Sequence, residues 1–148
     1  MHGILKILTC LLFSLLCQQA ISQASLDIEV RDIRSEKGTI LISVFTAEDQ
    51  FPRNALPEFK DIKLVKNNMK DGVLVYKLSN IVPGKYAVAL LDDENNSGEM
   101  DYKRLGIPDE GFGFSNNAKP LLSEPPYKKC EFEVKAGKNK ISIQVRYR

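Results

Sequence analysis

Oxygen-bearing side chains alternate through one short stretch of the chain: Asp93, Asn95, Ser97 and, after Gly98 and Glu99, Asp101. Hard cations such as Ca²⁺ collect six to eight oxygen ligands at roughly 2.3–2.6 Å, and a short loop supplies them by alternating oxygen side chains around a glycine turn. Counted from Asp93, the side chains of Asn95, Ser97 and Asp101 take the next ligand places of such a loop. Gly98 falls at the sharp turn, and Glu99 offers its backbone carbonyl. The bidentate Glu that closes a full EF-hand is replaced by Arg104, so a complete EF-hand is excluded. The spacing predicts a weak Ca²⁺ site, with Asp92 or Glu110 as a further carboxylate, Glu110 only if the following loop folds back. The same residue types also make an ordinary polar turn, because Asn, Asp, Ser and Gly tolerate turn geometry.

Other chemistries are narrowed by what the chain lacks. Its one histidine, His2, lies in the segment expected to be removed. No Ser-His or Cys-His pair can then form, and His/Cys zinc sites are excluded. Catalysis would have to run on carboxylates, Lys or Tyr; for a carboxylate hydrolase the pool is Asp92, Glu94, Asp109 and Glu110, and no spacing singles out a pair. The expectation is therefore a non-enzymatic binding or accessory module, with a structural or assembly role in the cell envelope as the alternative and a carboxylate hydrolase behind it. Tyr102, Phe112, Phe114 and Tyr127 are candidate ligand contacts, since aromatics often anchor partners. The partner would be an envelope protein, a peptide or a glycan, and the lack of Trp disfavours a dedicated sugar platform. A formal net charge of +2 and scattered basic residues argue against nucleic acid.

The N-terminus reads as a targeting signal. Residues 7–16 are almost wholly apolar, the length of a signal-peptide core and too short to span a bilayer. Ala20 and Ser22 place small residues where signal peptidase reads them, which predicts a signal peptide over 1–22 and one domain over 23–148. The mature protein would be periplasmic or secreted, with no membrane span; acylation at Cys17 is the lipoprotein alternative. Cys10 and Cys17 leave with the signal, so Cys130 stays alone and no intrachain disulfide can form. It is expected to be a buried, inert thiol on the inward face of a strand, alternating with Glu131 and Glu133.

The elements that must position these residues are strands. Leu26, Ile28 and Val30 alternate with charged residues, as a half-buried strand does. Further strands are expected at 39–46, 62–66, 73–78, 85–91, 130–135 and 140–147, the fifth delivering Asp92 and Asp93 at its end. Asp71-Gly72 predicts a hairpin between the third and fourth, and 136–139 a second hairpin between the last two. Residues 47–59 read as a loop whose Phe51 and Phe59 tuck under the sheet. Residues 102–126 read as one long ordered loop in which Gly106, Gly111 and Gly113 permit turns. Seven short alternating strands predict an all-β, antiparallel, Ig-like or transthyretin-like sandwich.

Two runs carry a resemblance: Asp93-x-Asn95-x-Ser97-Gly98-x-x-Asp101, and Leu105-Gly106-Ile107-Pro108 through Gly111-Phe112-Gly113-Phe114-Ser115-Asn116-Asn117. With Val82-Pro83-Gly84-Lys85-Tyr86 upstream, the chain resembles an uncharacterised family of secreted bacterial proteins, domain of unknown function 2141. The family often has His where this chain has Asp92, and Asn where it has Ser97. The resemblance implies an exported transthyretin-like sandwich and no particular activity.

Overall fold

The computed structural model describes residues 23–46, 51–53, 55, 59–121 and 123–148. The expected signal segment, with Cys17 and the cleavage residues, lies outside the described residues, as does much of loop 47–59. Eight strands follow one another: β1 (Ala24–Arg31), β2 (Thr39–Phe45), β3 (Ile62–Val65), β4 (Leu74–Ile81), β5 (Gly84–Asp93), β6 (Gly111–Phe114), β7 (Phe132–Val134) and β8 (Gly137–Gln144). A single helical turn, α1 (Tyr127–Cys130), precedes β7. Among the described residues no helix is long and apolar enough to cross a membrane.

Two sheets form the fold. One has the order β4-β1-β8; the other runs β3-β2-β5-β6, with β7 also pairing β5. Strand side chains alternate faces with period 2. Leu26, Ile28 and Val30 therefore meet Ile40, Ile42, Val44, Val88 and Leu90 in the core between the sheets. The opposite face of the larger sheet builds a second, smaller core from Ala87, Phe112, Phe114 and Cys130. Phe51 packs onto this second core and Phe59 onto the main one, as the sequence suggests.

Several expectations need correction. Among the described residues the strands number eight, where the sequence predicts seven, and one pairing is not antiparallel: β1 and β8 run parallel in register from Ala24↔Gly137 to Arg31↔Gln144. The last two strands form no hairpin, since β7 pairs β5 and β8 pairs β1. The Asp71-Gly72 turn likewise carries the chain from one sheet to the other. Only Lys70 and Val73 bridge there, and the Gly72 carbonyl accepts the Ile33 N–H at 3.0 Å, tying the turn to the end of β1.

The extra strand, β6, lies inside the stretch read as irregular. Its Gly-Phe-Gly-Phe sequence looks like loop because glycine weakens a strand, yet each glycine marks a close approach. A Cβ at Gly113 would lie 2.8 Å from the Gln144 carbonyl oxygen, and one at Gly111 would lie 2.3 Å from the Tyr147 ring. The bare edge of β6 thus lets the C-terminal strand pass directly over it, where Phe112 and Arg146 pair. Gly111 and Gly113 are extended rather than turn residues; of the three glycines, Gly106 alone has positive φ, at 71°.

Candidate functional site

β5 ends in Asp92 and Asp93, both fully buried. Consecutive strand residues point to opposite faces, so the two carboxylates enter different environments.

Asp93 points to the outer face and caps the acidic loop. One carboxylate oxygen accepts the Ser97 N–H at 2.9 Å and the other the Gly98 N–H at 3.0 Å. Asn95 uses both ends of its amide, Oδ1 accepting the Ser97 N–H at 2.9 Å and Nδ2 donating to Asp101 at 2.6 Å. The Ser97 hydroxyl donates to the Glu99 carbonyl at 2.9 Å. The expected ligands are therefore gathered in one loop, and their oxygens are engaged within it, in the manner of Asx turns. Glu110 does fold back: one oxygen accepts the Glu94 N–H at 3.0 Å and the other makes a longer contact of 3.4 Å with the Asp101 N–H. Burial raises the Glu110 carboxyl above its ordinary value, and the neighbouring Asp93 and Asp101 charges add to that rise against the two backbone hydrogen bonds. Among the described residues, no three His, Cys, Asp or Glu side chains converge as an ion cage.

Asp92 points inward and does not join the loop. It ion-pairs with the Lys66 ammonium, and the side chains are 0% and 1% exposed. Lys66 also donates to the carbonyls of Ser35, at 3.1 Å, and Lys37, at 2.5 Å. The second Asp92 oxygen accepts the Tyr147 hydroxyl at 2.5 Å. That hydroxyl in turn accepts the Arg34 N–H at 3.0 Å, and the Arg34 guanidinium lies 4.2 Å from the Tyr147 ring centre. Arg34 then pairs with Glu94 through two contacts of 3.0 and 2.5 Å. This pairing, with help from the Ser35 hydroxyl and against the cost of burial, lowers the Glu94 carboxyl to about 2. Gly38 makes the arrangement sterically feasible: its φ is +67°, and a Cβ there would lie 1.9 Å from the Asp93 carbonyl oxygen. The turn that carries the Ser35 and Lys37 carbonyls can thus lie directly on the end of β5.

Sequence reasoning missed this inner network. One signal was legible, since Asp92 follows Val88 and Leu90 in the inward phase of β5, and an inward carboxylate requires a partner. Nothing local marks Lys66 as that partner, 26 residues away.

The outer face of the larger sheet carries an open groove of about 810 Å³. Leu41, Ala89, Leu91 and Phe112 form its floor, with Met100 and Tyr102 at one side. Of the aromatic candidates, Phe112 and Phe114 belong to the second core at 6% and 8% exposure and also line the groove, and Tyr127 is half-buried beside them. Tyr102 stands clear at 61% exposure. The run after Phe114 is a polar clip. Ser115 accepts the Val88 N–H at 2.9 Å and donates to the Cys130 carbonyl at 2.6 Å. Asn116 donates to the Glu131 carbonyl at 2.8 Å, and Asn117 accepts the Gln144 N–H at 2.8 Å. Both asparagines have positive φ, which Asn tolerates better than most residues.

Cys130 is fully buried, as expected, but on α1 rather than a strand, and burial pushes its thiol up to about 11.

Fold and site together define a small all-β domain of two sheets whose buried charged side chains, Lys66, Asp92, Asp93 and Glu110, gather at the end of one central strand. The chain belongs to the DUF2141 family, described as an uncharacterized protein conserved in bacteria, whose profile matches residues 28–142. No curated protein and no solved structure matches it.

Proposed function

We propose that this protein is an exported, non-enzymatic recognition module, built on an Ig-like or transthyretin-like scaffold, that takes an extended peptide segment of an envelope protein. The observation that carries this reading is the open groove whose apolar floor runs across Leu41, Ala89, Leu91, Met100 and Phe112. Tyr102 and Leu121, which line it, are 61% and 85% exposed. Exposed apolar side chains gathered at a concave surface mark contact sites. The aliphatic floor suits apolar peptide side chains, and the charged groups that also line the groove, Arg53, Asp61, Glu99, Glu124 and Arg148, can meet the polar groups of an extended peptide.

The commitments of the carboxylates favour a module over a hydrolase. Asp92 serves Lys66 and Tyr147, Glu94 serves Arg34, Asp109 pairs with Lys103 at 3.1 Å, and Glu110 holds backbone N–H groups. Export rests on the N-terminal apolar run and its small-residue cleavage site. N-terminal sequencing of the exported protein should start at Gln23 or Ser25, whereas an acylated Cys17 would move it to the membrane-anchored class.

Peptide display against the mature protein tests the groove. Enriched peptides should share apolar positions and lose binding to the double variant Leu91→Glu, Met100→Glu. Failure to enrich, or enrichment that survives the double variant, would overturn the reading.

Calcium is a second reading, supported by the crowding of Asp93 and Asp101 charges around Glu110. A divalent ion would relieve that repulsion, with Asp101 and Glu110 as carboxylate ligands. Affinity would be of the extracellular kind, on the order of 10⁻⁴–10⁻³ M. At ten times Kd it would stabilise the fold by about 1.4 kcal/mol. Equal melting midpoints in EDTA and in several millimolar Ca²⁺ would remove it.

A further inference from the structure

Lys66 and Asp92 have no part in the groove, yet they bring a primary amine against a carboxyl group in a dry interior. Both side chains are essentially unexposed. The Ser35 and Lys37 carbonyls hold Nζ from two sides, and Tyr147 holds the far carboxyl oxygen. Of the three oxygens around Nζ, only that of Asp92 belongs to a carboxyl group, and both side chains are shielded from solvent.

We propose that Lys66 and Asp92 condense in the folded protein to an intramolecular amide. Proton transfer within the ion pair yields a neutral amine and a neutral acid, with no change in net charge. The nitrogen lone pair then attacks Cγ of Asp92, forming the C–N bond as one C–O bond breaks. Of the three protons on Nζ, one remains as the amide hydrogen and two leave with a carboxyl oxygen as water. Tyr147 donates to that oxygen; it lends a proton as the bond breaks and regains one from Nζ. Burial, and then the hydrogen bond to Asp92, push the Tyr147 hydroxyl above its ordinary value, so it stays protonated and able to donate. No oxidant or cofactor is needed.

Physical chemistry favours the condensation here. In water an amine and a carboxylate do not join, because both are solvated and dilute. Fixed reacting groups gain effective molarities of roughly 10⁵–10⁸ M, and exclusion of water removes the reagent for the reverse reaction. A buried Lys–Asp ion pair also carries a desolvation cost for each charge, which the amide abolishes. The bond would fasten the turn after β3 to the end of β5. With Cys130 as its one cysteine beyond the expected signal, the exported chain has no disulfide to do this.

Intact mass under denaturing conditions tests the proposal. The protein should weigh one water less than its sequence. Trypsin should fail to cut after Lys66 and should release a branched peptide joining residues 64–70 to residues 86–103. Lys66→Arg and Asp92→Ala should each restore the full mass. Tyr147→Phe should slow conversion about 100-fold, the scale of general acid catalysis. A wild-type protein of full mass, from which trypsin frees Lys66 normally, would overturn the proposal whether or not the variants fold. Loss of water without the branched peptide, as at Asp71-Gly72, would overturn it equally. Condensation at the wild-type rate in Tyr147→Phe would remove the tyrosine from the step.

Discussion

Asp93→Ala separates two ways of holding the acidic loop. Asp93 is fully buried and gives its oxygens to the N–H groups of Ser97 and Gly98, at 2.9 and 3.0 Å. Hydrogen bonds to a charged acceptor contribute about 1.5–3 kcal/mol each. Ser97 and Gly98 are themselves exposed, so water partly replaces the lost acceptor, and Asn95 still accepts the Ser97 N–H. The expected cost is therefore near the lower bound, about 2–4 kcal/mol. At about 4 °C per kcal/mol for a domain of this size, the midpoint should fall by roughly 8–16 °C. The assay is urea and thermal unfolding followed by circular dichroism, in EDTA throughout, with Asp93→Asn expected between the alanine variant and wild type. A cost below about 0.5 kcal/mol in EDTA, growing to the full value only when Ca²⁺ is added, would refute the self-capped loop and assign its order to the ion.

Gly113→Ala should destabilise by about 1–3 kcal/mol, read by urea unfolding, because its Cβ would lie 2.8 Å from the Gln144 backbone oxygen, which cannot rotate away. Cys130 should resist iodoacetamide in the native state even at pH 9 and react on unfolding, since the thiol is buried and held protonated with its value near 11; rapid native labelling would contradict its place in the second core. Glu94 is depressed in the folded state, so its contribution is present above the ordinary carboxylate value of 4.5 and is lost as pH falls toward about 2. Discounted for the half-exposed Arg34, that contribution is about 1–2 kcal/mol, and Arg34→Ala should flatten the pH dependence of stability between 5 and 2.

The strands with regular alternation were legible in the sequence. β1 and β8 carry apolar residues in one phase, whereas β2 and β5 carry them in both, Leu41, Phe45 and Ala87 being buried on the outer face as Ile40, Ile42 and Val88 are on the inner. Pairing was not legible, because period-2 patterning fixes faces and not neighbours. This is why the parallel β1–β8 pair and the transfer at Asp71-Gly72 escaped notice. β6 was hidden because its glycines, which make room for β8 and Tyr147, look locally like loop residues. The acidic loop was recognised as one unit, including the return of Glu110, yet side-chain spacing could not tell an ion cage from a turn that uses its own N–H groups. Asp92 was grouped with Asp93 because they are adjacent. In a strand adjacency means opposite faces, and Lys66, Tyr147 and Asp92 meet only through the tertiary fold.

Binding in the groove is tested most directly by mapping one display-selected peptide onto the ¹⁵N-labelled mature protein by amide chemical shifts. The account predicts perturbations clustered at Leu41, Ala89, Leu91, Met100 and Tyr102 across the outer face of the larger sheet. Shifts confined to the free edges of β3 and β4 would contradict it, because they would mark strand addition at a sheet edge instead of docking in the groove.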